Sequence, residues 1–242
     1  YQIKIKLLEK IENYNPESKS KPFFEALFNR RAIKLASLMQ SLYTSFGMSF
    51  YEQIALLLAN DAGFHGERQY QLLGSINDET KLLISELCER PFSSACSKDD
   101  EVELIRKGST LGEAKITSYS TVDVFLRDNN EIEYYIDITS VKPNKKEART
   151  LRKKMLDWAA LRFSQNPKAK VKTYLGLPYN PYHPYRYNRP FVKDNCHDDE
   201  VLIQEDLWKL FAGYDVFDEL IEIFNEVGEE IKNEISYFLD SI

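Results

Sequence analysis

The chain has 242 residues, of which 43% are hydrophobic and 29% charged. This composition is typical of a globular protein and excludes disordered, collagen-like and disulfide-stapled chains. The net charge is −6, but residues 198–242 carry 14 acidic and 2 basic side chains, so residues 1–197 have a net charge of +6. The negative total charge argues against binding of nucleic acid, but the local charge of residues 1–197 is compatible with binding a phosphate backbone.

Residues 22–62 have apolar side chains at helical spacing, with a break at Gly47, and they predict helices. Ser49 and Glu52 have the spacing of a capping box, which would open the second of these helices. Residues 64–110 are mixed, and a helix is predicted over 77–88. No run of about 18 apolar residues occurs, so we expect no membrane-spanning helix.

A hairpin is predicted next, because residues 115–127 and 132–141 are rich in β-branched and aromatic side chains and flank the turn sequence 128–131. A helix over 145–164 and a strand over 171–177 follow. The order of strand, strand, helix and strand predicts a mixed sheet with a crossover helix packed on it.

Residues 178–193 form a loop rich in tyrosine and proline, and helices are predicted over 201–212 and 214–240. We expect one α/β (α+β) domain over residues 1–242, with helical segments at both ends. Within it, residues 1–110 would be mainly helical, 111–180 would form the core, and 181–242 would form the loop and C-terminal helices.

Two aspartates stand out on the predicted hairpin. Alternation along the first strand places Asp123 with Phe125 on one face and Val122 with Val124 on the other. In the second strand, Asp137 lies on the face of Tyr135. We expect both carboxylates to project from the same side of the paired strands, where Mg²⁺ would relieve their repulsion. The same pattern also fits aspartates that only hold turns or strand edges.

An acidic residue on one strand, followed by an acid and a lysine on the next, resembles the PD-(D/E)xK nuclease core. The segments IDITSVKPNKK (136–146), YNPYHPY (179–185) and EDLWKLF (205–211) resemble TdeIII-type type II restriction endonucleases, as does SFYEQIA (49–55) more weakly. The resemblance implies a restriction-endonuclease-like fold, with Asp123 and Asp137 as metal ligands.

One departure from the family pattern concerns the lysine. Thr139 occupies the position where the pattern has lysine, and a hydroxyl donates a hydrogen bond without a positive charge. We take Lys142 as its replacement, although an unbroken strand would point it to the opposite face. The alternatives are that another lysine reaches the site, or that the chain is catalytically impaired.

Glu52 is a candidate third carboxylate, because the resemblance implies that a glutamate of an N-terminal helix approaches the metal. Its position in a capping box offers a purely structural explanation. Glu113 is a further acidic candidate, directly before the first strand of the hairpin.

DNA contacts are predicted on the crossover helix and on the loop. A basic cluster on the helix would contact phosphates, and Arg186, Asn188 and Arg189 of the loop are suited to base edges. The cluster comprises Lys145, Lys146, Arg149, Arg152 and Lys153. A solvated charged face, and a proline-stiffened loop whose tyrosines cover the core, are the structural alternatives.

The predicted function is that of a type II restriction endonuclease with Mg²⁺ as cofactor and double-stranded DNA as substrate. The resemblance implies a short palindrome of the GGNCC type and hence a homodimer. The alternatives are a catalytically impaired nuclease fold that binds DNA, and an interaction domain without DNA. Three irregularly spaced cysteines favour a cytoplasmic protein with free thiols, and His183 and His197 lack the partners of a zinc site.

Overall fold

The computed structural model describes residues 2–12, 14, 20–45, 49–89, 96–111 and 117–240. The chain divides into two compact units, one of residues 51–215 and one of residues 1–50 with 216–242. The helix break predicted at Gly47 and the candidate Glu113 lie outside the described residues.

The larger unit contains a five-stranded sheet in the order β1-β2-β3-β4-β5. Its strands are β1 (His65–Ser75), β2 (Thr117–Arg127), β3 (Ile132–Ile138), β4 (Lys170–Leu177) and β5 (Val201–Ile203). Strands β1, β2 and β3 pair antiparallel, and β4 and β5 continue the sheet parallel to β3. This mixed sheet flanked by helices confirms the predicted fold class.

Eleven helices occur in the described residues. In chain order they are α1 (Gln2–Glu12), α2 (Pro22–Leu27), α3 (Arg30–Ser45), α4 (Tyr51–Asp61), α5 (Asp78–Glu89), α6 (Lys98–Ser109), α7 (Lys145–Gln165), α8 (Pro190–Lys193), α9 (Glu205–Ala212), α10 (Phe217–Glu230) and α11 (Lys232–Asp240). Within the described ranges, no helix is both long enough and apolar enough to cross a membrane.

The β2–β3 hairpin is fixed by Asp128, whose carboxylate accepts hydrogen bonds from the backbone N–H groups of Asn130 and Ile132, both at 2.9 Å. Glu131 completes the turn with a φ of 60°. This is the self-bonding of an aspartate that the turn sequence predicts. The turn sets the register in which Phe125 pairs with Tyr135.

Helix α7 is the crossover from β3 to the parallel strand β4. It begins at a capping box in which Asn144 and Glu147 bond reciprocally. Its apolar side is buried around Trp158, Met155 and Phe163. A Cβ added to Gly74 of β1 would lie 2.3 Å from the carbonyl oxygen of Leu161, so glycine at this position permits the close approach of β1 to α7.

The opposite face of the sheet is covered by α4 and α9, which pack against each other through Tyr51 and Trp208, with ring centroids 6.0 Å apart. Trp208 also donates a 2.8 Å hydrogen bond to the Pro178 carbonyl. Both faces of the central strands are therefore buried, as expected for a sheet with helices on each side.

In the smaller unit, Lys4 of α1 forms a 3.1 Å ion pair with Glu230 of α10. Phe50 packs edge-on against Phe224 at 5.7 Å.

Four elements of the larger unit were not predicted from the sequence: β1, α6, β5 and the short helix α8, which lies in the predicted loop. Strand β1 reads HGERQYQLLGS, which lacks the alternation of a half-buried strand, and it falls in the part expected to be mainly helical. Residues 201–203, which were expected to begin a helix, form β5 instead, and the helix begins at Glu205.

Candidate active site and nucleic-acid interface

The structure brings Asp123 and Asp137 together. Val124 of β2 pairs with Ile136 of β3, so the next step along the hairpin sets the two aspartates opposite each other. The Asp123 carboxylate accepts a 3.0 Å hydrogen bond from the backbone N–H of Ile138. Asp137 is 4% exposed, and the two aspartates lie directly beyond the last paired residues of β2 and β3, Val124 and Ile136.

A lysine from α7 reaches both aspartates. The Lys154 ammonium donates a hydrogen bond to the Asp137 carboxylate, and its Nζ lies 3.8 Å from Oδ1 of Asp123. The same Nζ lies 5.0 Å from the ring centroid of Trp158. One cation thus serves two carboxylates, and the three side chains form one cluster.

Contacts along α7 fix the position of Lys154. Trp158 donates a 2.9 Å hydrogen bond to Ser120 of β2. One turn further on, the Arg162 guanidinium donates two hydrogen bonds to Glu133 of β3, at 2.6 and 2.7 Å. These bonds tie the helix to the two strands that carry the aspartates.

The electrostatics of the cluster follow from burial and from the two like charges. Burial, and next the charge of Asp137, raise the pKa of Asp123 to about 7, although Lys154 and the Ile138 N–H oppose the shift. Burial alone would lower the pKa of Lys154, but the carboxylates of Asp137 and Asp123 outweigh it and raise the pKa. Lys154 is therefore a protonated cation at neutral pH.

Glu52, on α4, is buried with 2% exposure. Its carboxylate accepts hydrogen bonds from Arg68 at 3.2 and 3.3 Å and from Gln69 at 3.0 Å. Its charge contributes to the raised pKa values of Asp123 and Lys154. Glu52 thus adjoins the cluster, with its oxygens engaged by β1 side chains.

Thr139 and Lys142 do not join this cluster through any described contact. The backbone N–H of Thr139 donates a 3.1 Å hydrogen bond to Gly176, directly after the end of β3. Lys142 is exposed, and its Nζ lies 5.4 Å from the ring centroid of Tyr182. The lysine beside the aspartates is Lys154, 15 residues after Thr139.

The donor set suits a hard divalent cation that keeps water or substrate oxygens as its other ligands. Two adjacent carboxylates repel each other, and a bound cation would remove this repulsion and favour the ionised form of both groups. Among the described residues, no group of three or more His, Cys, Asp or Glu side chains is arranged to hold a metal. In the part of the chain that the structure describes, Asp123 and Asp137 are the carboxylates placed to supply its side-chain ligands.

The basic cluster on α7 is exposed except for Arg152. Lys145, Lys146, Arg149 and Lys153 lie at the surface, and Lys153 pairs with Asp157 at 2.6 Å. Arg152, which was predicted to share this surface, is 1% exposed. At 100° per residue its direction lies only about 20° from that of Ala159 on the apolar side, so the helix turns it inward.

Arg152 belongs instead to a buried network of charges. It donates hydrogen bonds to Glu200 at 2.8 and 3.1 Å and pairs with Glu101. Lys98 pairs with Glu200 at 2.5 Å, and His197 lies 3.1 Å from Glu101. The network joins α6 and α7 to the 3-10 turn Asp198–Glu200, so its function is to hold these elements together.

The predicted DNA-contacting loop is anchored by its own residues to the segment after β3. Tyr187 donates a 3.0 Å hydrogen bond to the Val141 carbonyl. Arg189 donates to the carbonyls of Pro143 and Lys142, at 3.0 and 3.5 Å. Of the three loop residues predicted to contact DNA, Arg186 and Asn188 are exposed, whereas Arg189 is half-buried.

Sequence reasoning did not identify Lys154, Arg68 or Gln69. The direction of Lys154 on α7 is a usable signal, since it lies about 40° from Trp158, at the border of the apolar side. Arg68 and Gln69 lie in β1, which was not predicted as a strand.

A family model described as "Type II restriction endonuclease, HinfI" matches residues 2–228. The type II restriction enzyme MjaII of Methanocaldococcus jannaschii is 25% identical over 218 residues, which is 82% of this chain and 57% of the relative. The type II restriction enzyme HgiCII of Herpetosiphon aurantiacus is 25% identical over 223 residues, which is 89% of this chain and 80% of the relative. The type II restriction enzyme HgiEI, from the same organism, is 24% identical over 215 residues, which is 86% of this chain and 77% of the relative. No solved structure gave a significant match.

Proposed function

The chain belongs to the HinfI family of type II restriction endonucleases, and on that premise we propose that it hydrolyses phosphodiester bonds of double-stranded DNA at a short palindrome. The observation that carries the proposal is the cluster of Asp123, Asp137 and Lys154, with its two paired carboxylates and shared ammonium. This is the set of groups that a metal-assisted phosphodiesterase requires.

Asp123 and Asp137 would hold Mg²⁺ through their carboxylate oxygens. When bound, the ion would supply Lewis-acid polarisation of the phosphodiester and a lower pKa for water. Lys154, protonated and held against both carboxylates, would stabilise the negative charge that develops on the phosphate during attack. Lys154 would thereby take the role that the sequence pattern assigns to the residue at Thr139.

Glu52 would act behind the two aspartates. Because Arg68 and Gln69 engage its carboxylate, it would contribute negative charge near Asp123 without being a direct ligand. The position of Glu52 is therefore relevant to the strength of metal binding at Asp123.

The exposed basic side chains at the start of α7 would contact DNA phosphates and set the register of the duplex. These are Lys145, Lys146, Arg149 and Lys153. Arg186 and Asn188 are accessible and have the chemistry to read base edges, whereas Arg189 would support the loop through its bonds to backbone carbonyls.

Each chain offers one cluster of Asp123, Asp137 and Lys154, whereas cutting both strands of a palindrome takes two clusters related by a twofold axis. We therefore propose that the active species is a homodimer. The recognition sequence implied by the TdeIII-type resemblance is a GC-rich palindrome with a degenerate centre, of the GGNCC type. We also propose a cytoplasmic location, which the free thiols of Cys88 and Cys196 support.

The test is cleavage of plasmid DNA and of duplex oligonucleotides that carry GGNCC or a scrambled site. We expect cutting of the GGNCC duplex with Mg²⁺, no cutting with EDTA, and a loss of at least about 100-fold for Asp123→Ala and Asp137→Asn. Asp198→Asn, which alters an exposed carboxyl outside the cluster, serves as the control. Undiminished cutting by both cluster variants would refute the assigned roles. Salt-sensitive DNA binding without cutting would favour an impaired nuclease fold that binds DNA.

A further inference from the structure

Gln69 has an unusual backbone conformation in the middle of β1. Its φ is 52°, in the left-handed region that residues other than glycine seldom adopt. The ladder between β1 and β2 pairs Arg68 with Val124 and Tyr70 with Val122, and it omits the intervening pair. The omitted residues are Gln69 and Asp123, so the strained residue of β1 stands beside the first aspartate of the cluster.

Side-chain alternation along β2 is broken at the same place. Ser120 accepts a hydrogen bond from Trp158 of α7, and Phe125 packs against Tyr135, whose ring in turn packs against Trp158. Residues 120 and 125 cannot lie on one face of an unbroken strand, because their separation is odd. Val122, predicted on the face of Val124, packs instead in the core cluster with Tyr135. Asp123 stays on the face of Phe125 and Asp137, and the break brings Ser120 and Val122 to that face as well.

The side chain of Gln69 has a specific contact. Its amide donates a 3.0 Å hydrogen bond to Oε1 of Glu52, while Arg68 occupies Oε2 of the same carboxylate. Gln69 itself is exposed, so burial of apolar surface does not account for the strained backbone. Strain of this kind persists where the surroundings impose it, and it concentrates at functional sites.

We propose that Gln69 is a positioning residue for the active site: its left-handed backbone, opposite Asp123, accommodates the break in β2 and so fixes the position of Asp123 beside Asp137 and Lys154, and its amide holds Glu52 behind them. This inference rests on the proposed function for its catalytic consequence, but its structural content is independent of cleavage. Gln69 touches neither substrate nor metal in this scheme and acts through Asp123 and Glu52.

The experiment compares Gln69→Gly, Gln69→Asn, Gln69→Val and Glu131→Gly; valine, which is β-branched, disfavours the positive φ of this position. Glycine tolerates positive φ but lacks the amide, and asparagine retains an amide on a shorter side chain and also tolerates this conformation. Glu131 is the matched control, since it is exposed and has a φ of 60° in the β2–β3 turn, away from Glu52 contacts. Each variant is measured for melting temperature, cleavage kcat and KM, Mn²⁺ binding by calorimetry, and the NMR shift of the Ile138 amide proton.

For Gln69→Gly we expect an unchanged or higher melting temperature, a kcat lower by about 10- to 100-fold, weaker Mn²⁺ binding and an unchanged KM for DNA. Gln69→Asn should recover part of the loss, and Glu131→Gly should match the wild type. The Ile138 amide shift, which reports the hydrogen bond to Asp123, should move in Gln69→Val and stay near the wild-type value in Gln69→Gly and Gln69→Asn, which tolerate the left-handed backbone.

Wild-type kcat in Gln69→Gly together with an unmoved Ile138 amide in Gln69→Val would overturn the inference. So would a loss of activity in Gln69→Gly and Gln69→Asn that parallels a fall in melting temperature, because Gln69 would then only support folding. A wild-type chain that neither cuts DNA nor binds Mn²⁺ would refute the proposed function instead. In that case the Ile138 amide alone decides whether Gln69 positions Asp123.

Discussion

Lys154 and Asp137 are 17 residues apart in the chain, yet the ammonium of the first donates a hydrogen bond to the carboxylate of the second. The contact spans the connection from β3 into α7, with more than two helical turns between the start of α7 and the lysine. The acid-x-lysine pattern places the lysine on the same strand as the second acid. In this protein the cation beside Asp137 comes from α7, the helix packed on that strand.

Replacing Lys154 should remove catalysis while leaving the fold intact. We expect Lys154→Met to lower the cleavage rate by about 100- to 1000-fold, because the charge that develops on the phosphate loses its nearest cation. Lys142→Met, which alters an exposed lysine 5.4 Å from the Tyr182 ring, is the matched control and should retain most of the activity. Single-turnover cleavage at saturating enzyme distinguishes the two. The reverse ranking would return the role to Lys142.

Asp123→Asn should stabilise the metal-free protein at high pH. The folded protein keeps the Asp123 proton up to about pH 7, whereas an ordinary aspartate loses it near pH 4. The contribution of this group to stability is therefore fully present below about pH 4 and is lost as the pH rises to 7. Asparagine mimics the protonated form, so the variant should gain roughly 1–4 kcal/mol at pH 8 and little at pH 4.

Urea unfolding in EDTA at the two pH values measures this difference, with Asp198→Asn as the control carboxyl. An Asp123→Asn variant whose gain is the same at both pH values would show that the carboxyl is not perturbed by folding.

Arg152 and Arg149 lie about one turn apart on α7, but replacing Arg152 should destabilise the fold strongly and replacing Arg149 should hardly affect it. Arg152→Ala leaves Glu101 and Glu200 short of a cation in a buried network and should lower the free energy of unfolding by about 3–5 kcal/mol. Arg149→Ala alters an exposed side chain, and its effect on unfolding should stay within about 0.5 kcal/mol. Chemical denaturation of the two variants is the measurement, and equal destabilisation would contradict the assignment.

Neutralising Lys145 and Arg149 should weaken DNA binding without changing which sequence is preferred. Each phosphate contact that is lost should reduce the slope of log affinity against log salt concentration by about 1. Fluorescence anisotropy with GGNCC and scrambled duplexes, in Ca²⁺ to prevent cutting, measures both quantities. A change in preference with an unaltered salt slope would indicate base contacts instead.

Local sequence patterns were sufficient to predict the β2–β3 hairpin and the start of α7. Asp128 and the asparagines after it determine the turn, and Asn144 with Glu147 determines the capping box, so each depends on residues a few positions apart. The placement of Asp123 opposite Asp137 follows from the register that the turn imposes. Its prediction nevertheless assumed unbroken alternation, which Val122 does not follow.

The rest of the site depends on how distant elements dock. Periodicity predicts which side of α7 is apolar, but it does not define the angular width of that side accurately. The prediction that Arg152 lies on the exposed basic face was therefore wrong, since Arg152 is buried. Lys154 reaches Asp137 because Trp158 and Arg162 fix the helix on the sheet, and no local pattern encodes that position. Gln69 depends on a backbone conformation that its residue type does not predict.

Helix α7 presents Lys154 to the aspartates and Lys145, Lys146 and Arg149 to the solvent, on one continuous rod of 21 residues. Because a helix of this kind moves as one rigid piece, the proposed phosphate contacts of its exposed residues and the position of the Lys154 ammonium would be mechanically linked. A duplex that is bound out of position would displace the exposed basic side chains, and it would shift Lys154 with them. The cleavage rate at correct and incorrect sites would then differ through the position of α7 itself, without any other element transmitting the difference.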